Sequence, residues 1–189
     1  MTTEPSGGRC RVCSSRCQVS IGVVDSYPMS RCRSCGHLYF AGEVSDSVLA
    51  SAYDKSYYGG NPGQDSTTCG YDDYLRDIPK RLRGFNQRLA SLERLVSPPG
   101  RALDFGCAVG LFVRAAGERG WDAVGYDRSE WATAYGREKF GLSLSSGDIP
   151  KFDEGRFDLV TLWDCVEHLA DPREILLKVR SWLRVGGVL

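Results

Sequence analysis

Two pairs of cysteines, Cys10-Arg11-Val12-Cys13 and Cys32-Arg33-Ser34-Cys35, are separated by 18 residues. Two residues between cysteines let a tight turn aim both sulfurs at one point, and two such knuckles complete the tetrahedron that zinc takes with thiolates. Gly36, just after the second pair, supplies the backbone freedom that a knuckle turn needs. Cys17 and His37 stand close enough to serve as alternates, but the four cysteines of the two pairs form the simpler set. Four thiolates leave no open coordination position, so the expected metal is a structural zinc that supplies folding energy and no chemistry. A disulfide framework is the weaker explanation: the start, MTTEPSGGRC, has no basic segment followed by an apolar run, and a reducing cytoplasm keeps thiols free.

A second constellation begins at Leu103-Asp104-Phe105-Gly106-Cys107-Ala108-Val109-Gly110-Leu111-Phe112, which reads as a strand, a glycine turn and the start of a helix. Such a turn lets a ligand approach the backbone closely near a helix N-terminus. Asp127 follows about 20 residues on, where a carboxylate can take both hydroxyls of a ribose. That pair of features suits a nicotinamide dinucleotide or S-adenosyl-L-methionine, and Asp104 discriminates between them. A pyrophosphate against the turn would be repelled by an acidic neighbour, whereas the ammonium and sulfonium of S-adenosyl-L-methionine would be attracted. The glycines also stand at G-x-x-x-G, not at the G-x-G-x-x-G of the dinucleotide fingerprint. The turn therefore favours S-adenosyl-L-methionine.

The elements that must hold these residues fall into three zones. Residues 1–45 are rich in Cys, Arg, Ser and Gly, with strand-like fragments at 19–24 and 38–40, and are too few to bury a core alone. Residues 46–97 hold a Tyr- and Gly-rich stretch (Tyr53, Tyr57, Tyr58, Tyr71, Tyr74), a candidate lid, and then a helical pattern. In that pattern Ile78, Leu82, Phe85, Leu89, Leu92 and Val96 recur at steps of three or four, and Pro98-Pro99-Gly100 sets its limit. From 98 to 189 strands are expected at 101–105, 122–126 and 158–162, with helices at 111–119 and 129–140 between them. Asp171, Pro172 and Glu174 then sign the N-terminus of a further helix, which Gly186-Gly187 ends. Alternation of this kind predicts an α/β fold, a Rossmann-like parallel sheet with helices on both faces, after a small zinc module. Val188-Leu189 reads as the opening of another strand, so truncation at the C-terminus is expected.

The motifs Leu103 to Gly110, Gly125-Tyr126-Asp127, Gly147-Asp148-Ile149, Phe157-Asp158-Leu159-Val160 and Glu167-His168-Leu169-Ala170-Asp171-Pro172 resemble, in order and spacing, those of class I S-adenosylmethionine-dependent methyltransferases. The resemblance covers residues 100–189. It implies that Asp104 and the turn Gly106, Cys107 to Gly110 hold the methionine part, Asp127 the ribose, and Asp148 with Ile149 the adenine. It places Trp163 and Asp164 at the cofactor's edge. Family members continue past the fifth strand into a reversed hairpin. The N-terminal half looks like the zinc-ribbon extension of bacterial methyltransferases associated with sugar or surface-polysaccharide modification, which implies a small, sugar-derived acceptor. An alcohol or carbon nucleophile must lose a proton, and His168 or Glu167, after the strand at 158–162, is the candidate base. The same stretch could instead shape the pocket floor and set the following helix. Cys107 and Cys165 read as small packing residues.

Lys+Arg 24 against Asp+Glu 24 gives no net charge, and no apolar run is long enough for a spanning helix. Bulk nucleic-acid affinity and a membrane partner are not expected, and the chain reads as cytoplasmic. Two other readings remain. One is a zinc-ribbon RNA methyltransferase, since Arg9, Arg11, Arg16, Arg31 and Arg33 face only Glu4 and Asp25 within residues 1–40. The other is a non-catalytic partner-binding protein with a remnant cofactor fold.

Overall fold

The computed structural model describes residues 9–24, 26–42 and 75–189. The tyrosines of the candidate lid and Cys69 lie outside the described residues. The chain forms two compact units, Met1–Ser45 with Leu169–Leu177, and Asp46–His168 with Lys178–Leu189.

In the first unit three short antiparallel strands, β1 (Gln18–Val24), β2 (Tyr27–Cys32) and β3 (Leu38–Phe40), pair in the order β1-β2-β3. Val24 pairs with Tyr27, and Ser26 in the turn between them takes a left-handed φ of 69°. One face turns Ser30 and Cys32 inward, and the other leaves Val24, Tyr27 and Leu38 more than half exposed. The middle strand, β2, is the one the sequence did not signal: Pro28 and Ser30 break its apolar alternation.

The second unit opens with helix α1 (Ile78–Leu92). Its apolar stripe packs on Phe112 and Ala115, with Phe85 and Phe112 edge to face at 5.7 Å. The helix ends before Val96, earlier than its apolar period suggests. Glu93 is drawn aside by the guanidinium of Arg119, whose Nε donates at 2.9 Å, and by Trp121 Nε1 at 3.2 Å. The Arg119 hydrogen bond holds the Glu93 carboxyl below its ordinary range.

Five parallel strands follow, β4 (Arg101–Phe105), β5 (Asp122–Tyr126), β6 (Leu144–Ser145), β7 (Phe157–Thr161) and β8 (Leu183–Val188), in the order β6-β5-β4-β7-β8. Helices α2 (Leu111–Glu118), α3 (Glu130–Phe140) and α4 (Pro172–Trp182) connect them. Ala102, Leu103, Leu159 and Val160 are almost fully buried, as expected of central parallel strands covered on both faces. Capping fixes the helix starts: Ser129 Oγ accepts from Ala132 N at 3.3 Å, and Asp171 Oδ1 from Glu174 N at 2.9 Å.

The C-terminal elements depart from the sequence pattern as well. Helix α4 stops at Trp182 and β8 begins at once, so Gly186-Gly187 lies inside a strand and does not terminate a helix. Gly186 takes a φ of 80°, and a Cβ on Gly187 would meet Phe157 O at 3.1 Å. The glycines are needed where β8 shifts register against β7. Asp158 steadies this region by accepting from Arg101 N at 2.7 Å and pairing with Arg184. No helix among the described residues is long and apolar enough to cross a membrane.

Candidate functional site

Two sites emerge, one in each unit. In the first, the sulfurs of Cys10, Cys13, Cys32 and Cys35 all lie within 4.8 Å of one another. Cys10 and Cys35 are 3.7 Å apart and Cys13 and Cys32 3.5 Å. A tetrahedron of zinc–sulfur bonds of about 2.3 Å needs sulfurs roughly 3.8 Å apart, so the donor set fits zinc. Backbone bonds shape both knuckles: Ser14 N donates to Cys10 O at 2.8 Å and Gly36 N to Cys32 O at 2.9 Å. Backbone N–H groups of Cys35, then Ser34, lower the Cys32 thiol to about 6, whereas at Cys13 and Cys35, against the backbone N–H groups of Ser15 and His37, burial and the neighbouring sulfurs raise the thiols, Cys13 to about 12. His37 stacks on Tyr39 at 5.4 Å and Cys17 is exposed, and neither belongs to the cluster.

The second site lies where the sheet order reverses. Chain order runs from β4 outward to β6 on one side and to β7 and β8 on the other, so the connections after β4 and β7 leave on opposite faces and open a crevice at their carboxyl ends. Asp104, next to last in β4, lies there, 3% exposed, and accepts from Thr161 Oγ1 of β7 at 2.8 Å. Burial, with the nearby charge of Asp127, raises its carboxyl to about 7 against the lowering effect of Thr161. Asp127, just after β5, accepts from Ala108 N at 2.7 Å and Ser129 N at 2.8 Å, which ties it to the glycine turn. Burial raises its pKa while those two amides oppose the shift. A carboxylate offers about four acceptor directions, so Asp127 keeps capacity for further donors.

The turn approaches its neighbours closely. A Cβ on Gly106 would meet Cys165 Sγ at 2.6 Å, and one on Gly136 of α3 would meet Val109 O at 2.5 Å. Gly110, with a φ of 81°, starts α2 without a side-chain cap, leaving that N-terminus to backbone or ligand. Ala108 takes a left-handed φ of 50°, a conformation that glycine adopts more readily. Buried carboxylates beside a narrow backbone turn suit a cationic amino-acid moiety and oppose a pyrophosphate, so the residues present fit S-adenosyl-L-methionine.

The remaining expected residues are dispersed. Asp148 is exposed beside Gly147, whose carbonyl accepts from Tyr126 OH at 2.8 Å, and Ile149 is half-buried. Trp163 packs against Phe85 and Phe112, with Arg88 over its ring at 4.6 Å. Its indole N–H is buried without an acceptor among the described residues, and the half-buried ring packs against the cluster formed by α1 and α2. Asp164 takes a left-handed φ of 48°. Glu167 and His168 sit exposed on a single 3-10 turn (Val166–His168) after β7, with His168 N donating to Cys165 O at 3.0 Å. Cys107 and Cys165 are thiols that burial pushes up, Cys165 to about 12, which keeps both protonated. Thr161 is the residue the sequence reading missed. Its only signal is a hydroxyl that ends an interior strand directly after Leu159 and Val160.

A groove of about 580 Å³ opens elsewhere, lined by Arg114, Trp121, Asp122 and Phe140 among others, and by no residue of the motifs. It lies toward the amino end of β5, away from the crevice.

Residues 74–189 match the family described as methyltransferase domain. Among curated relatives, the ubiquinone biosynthesis O-methyltransferase of Methylococcus capsulatus is 31% identical over 121 residues, 58% of this chain and 51% of the relative. That of Cereibacter sphaeroides is 34% identical over 125 residues, 59% of this chain and 50% of the relative. The chain thus spans about half the length of the curated relatives it matches. Of solved structures, a Methanococcus maripaludis S-adenosyl-L-methionine-dependent methyltransferase superposes with a TM-score of 0.53 at 16% identity, covering 60% of this chain and 57% of that one, a likeness of fold. A chain from a Haloferax volcanii complex of a methyltransferase activator with a methyltransferase gives 0.51 at 26% identity, covering 60% and 54%. With a parallel sheet reversing at β4, an acidic glycine turn at its carboxyl end and a family match over residues 74–189, the chain belongs to the class I S-adenosylmethionine-dependent methyltransferases and carries an N-terminal four-cysteine zinc ribbon.

Proposed function

We propose that the protein transfers the methyl group of S-adenosyl-L-methionine to a small, sugar-derived acceptor in the cytoplasm. The observation that carries the cofactor is the buried pair Asp104 and Asp127 flanking the Gly106–Gly110 turn. In this reading Asp104 with Gly106, Cys107 and Gly110 receives the methionine part, Asp127 the ribose hydroxyls, and Asp148 with Ile149 the adenine. Trp163 stands at the cofactor's edge. The bound cofactor supplies an electrophilic methyl carbon on a sulfonium. The chain's own residues bind, orient and exclude water, and His168 or Glu167, exposed after β7, accepts the acceptor's proton. Zinc in the ribbon is structural. Residues 1–45 form the ribbon, 46–97 the segment between ribbon and cofactor domain, and 98–189 the cofactor domain.

The acceptor class rests on the resemblance of the ribbon half. The names of the curated relatives favour a second reading, an acceptor hydroxyl on a ubiquinone precursor. A panel of nucleotide sugars and ring-hydroxylated ubiquinone precursors, incubated with the protein and methyl-labelled cofactor, separates the two. Label entering a nucleotide sugar, lost in His168→Ala or Glu167→Gln, supports the first reading. Label entering only the precursors replaces it with the second.

A further inference from the structure

We infer that Thr161 is a positioning residue for cofactor binding, its hydroxyl holding Asp104 as a carboxylate aimed at the ammonium group of the methionine part. The inference rests on the reading that Asp104 receives that group. Thr161 and Asp104 are direct partners in the β4–β7 register, so their side chains share one face at the crevice. Both are buried, at 5% and 3% exposure. Thr161 Oγ1 lies 2.8 Å from Asp104 Oδ1 and 3.5 Å from Leu103 O. A hydroxyl has one proton to give, and distance assigns it to the carboxylate.

The surroundings give that one bond its weight. The groups facing Asp104 are Asp127 from the end of β5, Cys107 from the turn after β4, and Cys165 from the turn after β7. Each is acidic or a protonated thiol, and burial adds to the cost of charge on Asp104. Thr161 is the neighbour that favours the ionised form. A valine would fill the same space in a central strand, where β-branched apolar residues predominate, so the hydroxyl is the distinguishing feature of the position. Losing it would move the ionisation of Asp104 upward and leave less carboxylate at neutral pH to meet a cation.

The test measures binding of S-adenosylhomocysteine, which keeps the ammonium, and of 5′-methylthioadenosine, which lacks the amino-acid part, between pH 5.5 and 9. For Thr161→Val the expected result is a loss of S-adenosylhomocysteine affinity of about fivefold at pH 7 that approaches about tenfold toward pH 5.5, corresponding to roughly one pH unit of displacement of the acid limb. Affinity should recover toward pH 9, Thr161→Ser should restore the original profile, and methylthioadenosine should bind as before. A Thr161→Val profile identical to that of the unmodified chain would overturn the inference, as would an equal loss for both ligands, which marks general damage to the crevice. Asp104→Asn distinguishes the underlying reading: if it binds S-adenosylhomocysteine normally, Asp104 does not receive the ammonium and both fail together. If Asp104→Asn loses binding while Thr161→Val does not, only the role of Thr161 fails.

Discussion

Asp104 is a site where binding chemistry opposes stability. Its folded pKa, about 7, lies above the ordinary aspartate value of 3.8 because burial disfavours the charge. The sign follows: the folded chain binds this proton more tightly than the unfolded one, so this stability is fully present below about pH 4 and is lost as pH rises through about 7. Asp104→Asn removes the ionisation while keeping an acceptor for Thr161. The substitution is expected to raise the ligand-free chain's unfolding free energy at pH 8 by roughly 2–4 kcal/mol, at about 1.4 kcal/mol for each pH unit between the two values, and to change it little below pH 4. Denaturant melts at the two pH values check this, and an equal effect at both would show that the charge is not responsible. Asp104 and Asp127 were legible in the sequence because a glycine turn and a carboxylate at a fixed distance have few other uses. Thr161 was not, since its partner is 57 residues away and only the β4–β7 pairing brings them together. The half-buried packing of Trp163 on Phe85 and Phe112 was likewise not legible, because it depends on α1 and α2, which are distant in sequence.

Among the elements, boundaries set by local chemistry were the readable ones. Strands β4 and β5 have the limits that their apolar runs mark, and the caps at Ser129 and Asp171 start α3 and α4. The limits that were missed depend on distant partners. Helix α1 ends where Arg119 and Trp121 claim Glu93, and β6 is two residues long because it pairs with Gly125 and Tyr126 of β5. Among its described residues the three-stranded ribbon has few fully buried side chains beyond Cys10, Cys32 and Ser30, too few to hold it without metal. Purified protein is therefore expected to carry one zinc per chain. Chelation at pH 7 should expose four additional thiols to a thiol reagent and remove the ribbon's strand signal, and Cys32→Ser should expose the remaining three and remove the same signal without chelator. Metal analysis that finds no zinc, or a ribbon that keeps its structure in chelator, would contradict the four-thiolate assignment.

At the scale of the whole chain, charge balance and the order β6-β5-β4-β7-β8 act together. A neutral total gives no long-range pull on a polyanion, and the reversal at β4 creates a crevice whose fixed groups are carboxylates. Specificity for a cationic cofactor follows from those local charges. Alternation of strand and helix made the parallel sheet legible, whereas the division into units was not: residues 169–177 group with the ribbon through contacts no local pattern encodes. Calorimetric titration of the chain with S-adenosyl-L-methionine, and with NAD as the control, tests the central claim most directly. Saturable binding of S-adenosyl-L-methionine, no binding of NAD and loss of the signal in Asp127→Ala are predicted. Binding of NAD in preference, or an Asp127→Ala chain with unchanged affinity, would contradict the cofactor site described above.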